Sequence, residues 1–349
     1  MSANGHAALP EPVVAVIKEA GLRFVTDASP GITRAEKGGV VAYLDAEGRK
    51  VKDKEVLARI KSLVIPPAWQ QVWICRHENG HIQATGRDAR GRKQYRYHPR
   101  WREVRDSNKF DKLALFARVL PRIRRQVERD LKEKGMPRRK VLAAVVRLLE
   151  QTLIRVGNEE YARQNHSFGL TTLRNRHVDV RGSGVVFSFR GKSGKQHKIR
   201  LEDPQLAKVV RRCQDMPGQD LFAFEDDAGG VHPIGSQDVN DYLREAAGDE
   251  VTAKDFRTWG GTVLAAMALR ELGIVTTAGE AKKNVVMAIE ATAVKLGNTP
   301  TVCRKCYVHP LIISSYLEGV IIEGRTGAAA SLKAAEKAVI KLLKQAGNS

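Results

Sequence analysis

The sequence predicts an α+β protein: a small β-rich N-terminal domain over residues 1–106, then a larger, mainly α domain over 107–349 that contains a three-stranded β-meander. Three observations predict it. Short apolar runs punctuated by turn residues fill the first hundred positions. Apolar residues at helical spacing begin near residue 110 and dominate from there on. Between 177 and 201, three strand-like runs are joined by glycine turns. A length of 349 residues suits two domains, each with a core of its own.

The elements follow in order. Residues 39–44, 72–75 and 81–85 read as antiparallel strands, each followed by a turn: Asp45-Ala-Glu-Gly48, Glu78-Asn-Gly80 and Asp88-Ala-Arg-Gly91. Between the first two, residues 53–63 place Val56, Leu57, Ile60 and Leu63 at helical spacing and stop before Pro66-Pro67. Residues 110–131 put Leu113, Phe116, Ala117, Leu120, Ile123 and Val127 on one helix face, with Arg and Lys opposite, and Gly135-Met-Pro137 ends that helix. Residues 141–164 read as a second long helix. The meander runs 177–180, 185–190 and 197–201 through Gly182-Ser-Gly184 and Gly191-Lys-Ser-Gly194. From Pro204 onward helices dominate, broken at Gly229-Gly230, Gly248, Gly273, Gly297 and Pro310, and residues 328–345 form a terminal Ala/Lys helix.

Composition narrows the function. Lys and Arg number 59 against 39 Asp and Glu, a formal net charge of +20. Residues 86–125 hold 14 basic and 4 acidic side chains, so half of the excess lies in forty positions. A surplus of this kind attracts polyanions, and double-stranded DNA is the expected partner. The junction at 97–109 is basic and polar, suited to wrapping a duplex. Apolar runs are too short to span a bilayer, and residues 1–10 lack a secretory pattern, so no membrane partner is expected. Four cysteines in a chain this long do not form a disulfide framework, which points to a reducing cytoplasm.

Four side chains have the chemistry for phosphodiester attack. Tyr307 ends the stretch Thr301-Val-Cys-Arg-Lys-Cys306, about two turns into a short helix that Thr299 caps and Pro300 begins. Its neighbours Arg304 and Lys305 are cations that favour a phenolate. Arg155 sits late in the expected helix 141–164, beside Gly157. Lys192 occupies a glycine-flanked turn, and Arg257 lies near the start of a helix beginning at Thr252, with Thr258 and Trp259 placed to steady it. Fixed arginine donors stabilise charge on phosphoryl oxygens, a mobile lysine can protonate the leaving oxygen, and a phenol can hold the strand covalently. Each residue alone also fits an ordinary structural place; a half-buried helix tyrosine and an exposed turn lysine are common.

In order along the chain, Ile154-Arg-Val-Gly157, Phe189-Arg-Gly-Lys192, Lys254-Asp-Phe-Arg-Thr-Trp-Gly260 and Gly297-Asn-Thr-Pro300 through Tyr307 carry more. With Gly86-Arg-Asp-Ala-Arg-Gly91 and Gly169-Leu-Thr-Thr-Leu173, this set resembles the type IB DNA topoisomerases, specifically the small poxvirus-like branch found in bacteria. The resemblance covers most of the chain. It implies the fold shared by tyrosine recombinases and these topoisomerases, closed as a monomeric clamp on DNA, and an isomerase that relaxes supercoils through a 3′-phosphotyrosyl link. It implies that Tyr307 is the nucleophile, Arg155 and Arg257 clamp the scissile phosphate, and Lys192 is the general acid. Arg92, Lys93, Gln94, Tyr95, Tyr97 and Lys254 fall at DNA-contacting positions. Where the family pattern usually has histidine nine residues before the nucleophile, this chain has Asn298, which keeps a hydrogen-bond donor but carries no charge.

The resemblance calls for neither ATP nor metal, and no cofactor is expected. The sequence has no GxxxxGK[ST] loop, and Cys303-Arg-Lys-Cys306 with His309 supplies too few ligands for a zinc site. Two other readings of the same residues are a site-specific tyrosine recombinase and a DNA-binding protein without catalysis. The first uses similar residues, but the β-rich N-terminal region and Lys254 three residues before Arg257 depart from it. The second explains the charge but not the ordered set. The cellular expectation is a cytoplasmic, nucleoid-associated enzyme.

Overall fold

The computed structural model describes residues 11–37, 40–89, 91, 93–327 and 331–346. The chain divides into two compact units, Met1–Lys109 and Phe110–Ser349.

The first unit is built on a five-stranded antiparallel sheet: β1 (Ile32–Lys37), β2 (Val40–Leu44), β3 (Gln70–Ile74), β4 (Ile82–Arg87) and β5 (Lys93–Tyr97). Their spatial order is β2-β1-β3-β4-β5, which leaves β5 at one edge. The sequence reading found β2, β3 and β4, with Gly39 of the first outside the described residues. It missed β1, because Ile-Thr-Arg-Ala-Glu-Lys does not alternate apolar with polar, and β5, because Gln-Tyr-Arg-Tyr alternates over only four residues inside a basic run. Ladder pairing makes strands of them. It also missed α1 (Glu11–Glu19). The helix α2 (Lys54–Ser62) starts where Asp53 Oδ1 accepts from the N–H groups of Glu55 and Val56 at 2.8 and 3.2 Å. It buries Ile60 against Ile32, Val72, Ile74 and Ala84. Burying one such side chain contributes about 1.5–3 kcal/mol.

The helix α3 (Pro99–Asp130) begins eleven residues before the expected 110. The stretch 97–109 is therefore the end of β5 followed by helix. Lys and Arg are good helix formers, and Trp101 with Val104, packed in a cluster with Ile17 and Leu22, gives this basic run an apolar side of its own.

In the second unit the expected stripe of α3 is buried, from Leu113 to Val127. The helix α4 (Arg138–Thr152) is buried nearly all round, including Val141, Leu142, Val145, Leu148 and Leu149. The expected single helix 141–164 is two: the chain leaves α4 at Leu153, held at φ 55° ψ 21°, and resumes as α5 (Glu159–Asn165). The apolar periodicity through Ile154 and Val156 hid this break. Gly157, at φ +106°, and Gly169 permit it: a Cβ on Gly169 would stand 2.6 Å from Gly157 Cα. The Arg155 carbonyl then accepts from the Leu170 N–H at 2.9 Å.

The meander is β6 (Val178–Arg181), β7 (Gly184–Arg190) and β8 (Gln196–Glu202), antiparallel and in sequence order. Helices α6 (Pro204–Asp215), α7 (Ser236–Ala247), α8 (Ala253–Leu272), α9 (Ala278–Leu296), α10 (Pro300–Tyr307), α11 (Pro310–Leu317) and α12 (Leu332–Ala346) complete the unit. A short hairpin, β9 (Ala223–Glu225) with β10 (Val231–Pro233), interrupts them and was not read from sequence, three residues being too few for a pattern. One continuous core joins α3, α4, the meander and α6 to α12. Glu336 pins α12 to it, accepting from Arg124 at 2.8 and 2.9 Å and from Trp259 Nε1 at 3.0 Å. Among the described residues, no helix is long and apolar enough to cross a membrane.

Candidate active site

Arg257 is in the second turn of α8 and is only 4% exposed. Asp255 Oδ2 accepts from the Thr252 N–H at 2.8 Å, which fixes the helix start just before it. The guanidinium donates through Nη1 to the Leu153 carbonyl and through Nη2 to the Leu296 carbonyl, the latter at 2.9 Å. Those carbonyls end α4 and α9, where no intrahelical donor remains and the helix dipole is negative. The sequence reading gave Thr258 and Trp259 this role. Instead Thr258 Oγ1 donates to the Lys254 carbonyl and Trp259 Nε1 to Glu336.

Two residues beyond each anchored carbonyl stands a polar side chain: Arg155 after Leu153, Asn298 after Leu296. Arg155 Nη2 donates to Asn298 Oδ1. Because arginine only donates, the contact fixes which end of the amide is oxygen. Among the described residues, Asn298 Nδ2 is buried without a partner. Arg155 lies on the connection after α4, not on a helix as the sequence reading had it.

Tyr307 is the last residue of α10, which starts as expected: Thr299 Oγ1 accepts from the Val302 N–H at 3.3 Å, and Pro300 follows. Its backbone lies against α8 where that helix carries no side chain. A Cβ on Gly261 would be 2.6 Å from the Tyr307 carbonyl oxygen, and one on Gly260 would be 2.7 Å from Leu153 Cδ2. Thr262 Oγ1 accepts from the His309 N–H at 3.1 Å, holding the chain just past the tyrosine. The Arg257 Cζ stands 4.9 Å from the Tyr307 ring centroid. Burial pushes the phenol up, but Arg257, by charge and hydrogen bonding, and then Arg155 and Lys254 outweigh it, so Tyr307 lies below its ordinary value. These cations come from elsewhere in the fold; the sequence neighbours Arg304 and Lys305, expected to act, are not among the largest causes.

Lys192 opens the turn between β7 and β8, where Ser193 adopts φ 62° and Gly191 N–H donates to the Lys195 carbonyl at 2.7 Å. Lys192 is exposed and lines one cleft with Arg155, Arg257, Leu296 and His197. His197 was missed; its position five residues after Lys192 at the head of β8 was the available signal. Lys254, exposed in the first turn of α8, acts on Tyr307 through its charge.

The remaining sequence candidates lie in the first unit, apart from Arg92, which is outside the described residues. Lys93 Nζ pairs with Asp27 at 2.6 Å, and Gln94 Nε2 donates to Asp88 Oδ2 at 2.9 Å. Tyr95, 42% exposed, stacks on Tyr97 with centroids 5.8 Å apart. They form the edge strand β5. Cys303, in the sequence's CxxC, is buried, and burial pushes its thiol up to about 11. Among the described residues, no three His, Cys, Asp or Glu side chains cluster as a metal site would require.

Comparison with known proteins supplies the family. The eukaryotic DNA topoisomerase I catalytic core matches residues 98–319, which include Arg155, Lys192, Arg257, Asn298 and Tyr307. The chain belongs to the type IB DNA topoisomerases. The bacterial DNA topoisomerase IB N-terminal domain matches residues 41–88. DNA topoisomerase 1B of Acanthamoeba polyphaga mimivirus is 31% identical over 293 residues, covering 82% of this chain and 87% of the relative. DNA topoisomerase I of monkeypox virus is 23% identical over 231 residues, 66% of this chain and 70% of the viral protein. The chain is thus an isomerase of this family, and the recombinase alternative is not favoured.

Proposed function

We propose that this enzyme relaxes supercoiled double-stranded DNA through a covalent link on Tyr307. The phenolate oxygen bonds to the scissile phosphorus, and the phosphorus–O5′ bond breaks. Lys192 gives its proton to the departing O5′. Arg155, Arg257 and the Asn298 amide N–H donate to the phosphoryl oxygens as negative charge builds there. The free end rotates, and the 5′-hydroxyl reverses the attack. The bond energy is conserved in the phosphotyrosine, so the cycle needs no ATP, and the cations carry the charge stabilisation without a metal ion.

The observation that supports this most is the placement of the Tyr307 ring against the Arg257 guanidinium, with the Arg155–Asn298 pair tied to the same two helix ends. The edge strand β5 and the basic stretch through α3 form the proposed DNA-contacting surface, and the enzyme acts as a monomeric clamp in the bacterial cytoplasm, on the nucleoid. The test is relaxation of plasmid in EDTA without ATP, with denaturant trapping and mapping of the DNA-linked peptide. Adduct on the peptide containing Tyr307 is the expected result. A strict requirement for magnesium or nucleotide overturns the proposal.

A further inference from the structure

The Lys192 side chain makes no hydrogen bond or ion pair among the described residues, and it sits on an exposed turn. A proton donor must still reach within hydrogen-bonding distance of the leaving oxygen. Something other than its own contacts therefore has to hold the turn in register with the rest of the site.

His197 is built for that. It pairs with Phe189 across β7 and β8, and its ring stacks on the buried Phe189 ring, with centroids 5.0 Å apart and planes 13° from parallel. The edges of the imidazole meet two glycines. A Cβ on Gly191, the residue before Lys192, would lie 2.6 Å from His197 Cδ2. A Cβ on Gly297, the residue before Asn298, would lie 2.6 Å from His197 Cε1. Gly191 belongs to the lysine turn and Gly297 caps α9, so one flat ring spans the gap between two separately positioned parts of the site. Among the described residues, neither ring nitrogen has a hydrogen-bond partner.

We infer that His197 is a positioning residue: wedged between Gly191 and Gly297, its ring sets the seat of the Lys192 turn relative to the turn that carries Asn298. The inference rests on the reading of Lys192 as the proton donor. Burial, then Arg155, Lys195 and Arg257, holds the imidazole below its ordinary value, so the wedge is a neutral spacer rather than a further phosphate clamp.

The test compares two leaving groups in single-turnover adduct formation by the full chain. One duplex has the ordinary O5′ at the scissile phosphate; the other has sulfur there. A thiol's reference pKa is about 8.5, far below an alcohol's, so the thiolate leaves without a proton. His197→Ala is expected to slow cleavage of the oxygen substrate by about ten- to a hundredfold, the scale of a catalytic group displaced by about an ångström. On the sulfur substrate the same variant stays within about threefold of the unmodified enzyme, as Lys192→Ala is expected to do, because both leave the phosphate donors in place, Asn298 being held by Arg155. Gly191→Ala is the second variant, since Gly191 has φ −93°, which alanine tolerates, and its methyl would press on the ring. It is expected to show the same selective slowing, and it decides the matter should His197→Ala fail to fold. Equal losses on both substrates, or no loss on oxygen, overturn the wedge. Rescue of Lys192→Ala but not of His197→Ala by sulfur overturns the wedge alone. Failure of sulfur to rescue Lys192→Ala overturns the general-acid reading and the wedge with it.

Discussion

The two units differ in how their apolar residues are gathered. The second packs helices and meander around one continuous core. The first holds three small clusters, around Ile74, Trp101 and Trp73, under a sheet with an open edge. The proposed chemistry sits with the large core, and the proposed contact strand β5 is at the edge of the small sheet. Holding donors in place for a transition state requires rigid support on several sides, which a large core supplies. Gripping a phosphate backbone asks mainly for charge and reach. Under the proposed function, rate then belongs to the second unit and β5 contributes affinity, and substitutions can be chosen to break that assignment.

The largest effect is expected from Tyr307→Phe. It removes adduct formation and relaxation entirely, while gel-shift affinity keeps its salt dependence; residual adduct would point to another nucleophile. Next is Arg257→Ala. It leaves the Leu153 and Leu296 carbonyls buried without donors, at about 1–3 kcal/mol each, so thermal unfolding moves down as well as cleavage. A normal melting temperature would mean those carbonyls find other partners. Asn298→Ala takes away one donor to the phosphate and should slow cleavage about tenfold, read in single turnover, with little change in melting.

Smaller effects sharpen the boundary. With phenolate as the proposed attacking form, cleavage is expected to rise with pH towards the phenol pKa, and a lowered pKa brings that rise to lower pH. Lys254→Ala removes one of the cations responsible and should move the rise to higher pH; an unmoved profile would take Lys254 out of the account. Tyr95→Ala, in the first unit, should weaken DNA binding by about two- to fivefold and leave the saturated cleavage rate alone, because such contacts position the duplex and do not touch the phosphorus. A rate loss at saturating DNA would erase the division between the units.

Much of this was legible in the sequence, for identifiable reasons. The stripe Leu113 to Val127 and the glycine-jointed meander announced themselves by period, and the Thr299-Pro300 start of α10 by its cap chemistry. The four candidate residues stood out because their types, in that order, suit phosphoryl transfer, and the fold brings Arg155, Lys192 and Arg257 to one cleft with Tyr307 against Arg257. What stayed hidden depended on distant partners. The break at Leu153 rests on a bond from Arg257, a hundred positions away. The strands β1 and β5 exist only through their neighbours. The cations that act most on Tyr307 are those the fold delivers from a distance. His197 had only its place five residues after Lys192 to mark it, and its role depends on Gly191 and Gly297, which meet its ring.

The bare spine of α8 has a practical consequence. Mid-helix glycines are the usual first targets when a protein is to be toughened against heat, since alanine there gains about 0.5–1 kcal/mol. At Gly261 the added methyl would strike the tyrosine's own main chain, which cannot swing aside as a side-chain tip can. This enzyme is therefore obliged to keep a weak link in its central rod, and attempts to harden it should begin at Gly279, where a methyl meets nothing within 4 Å.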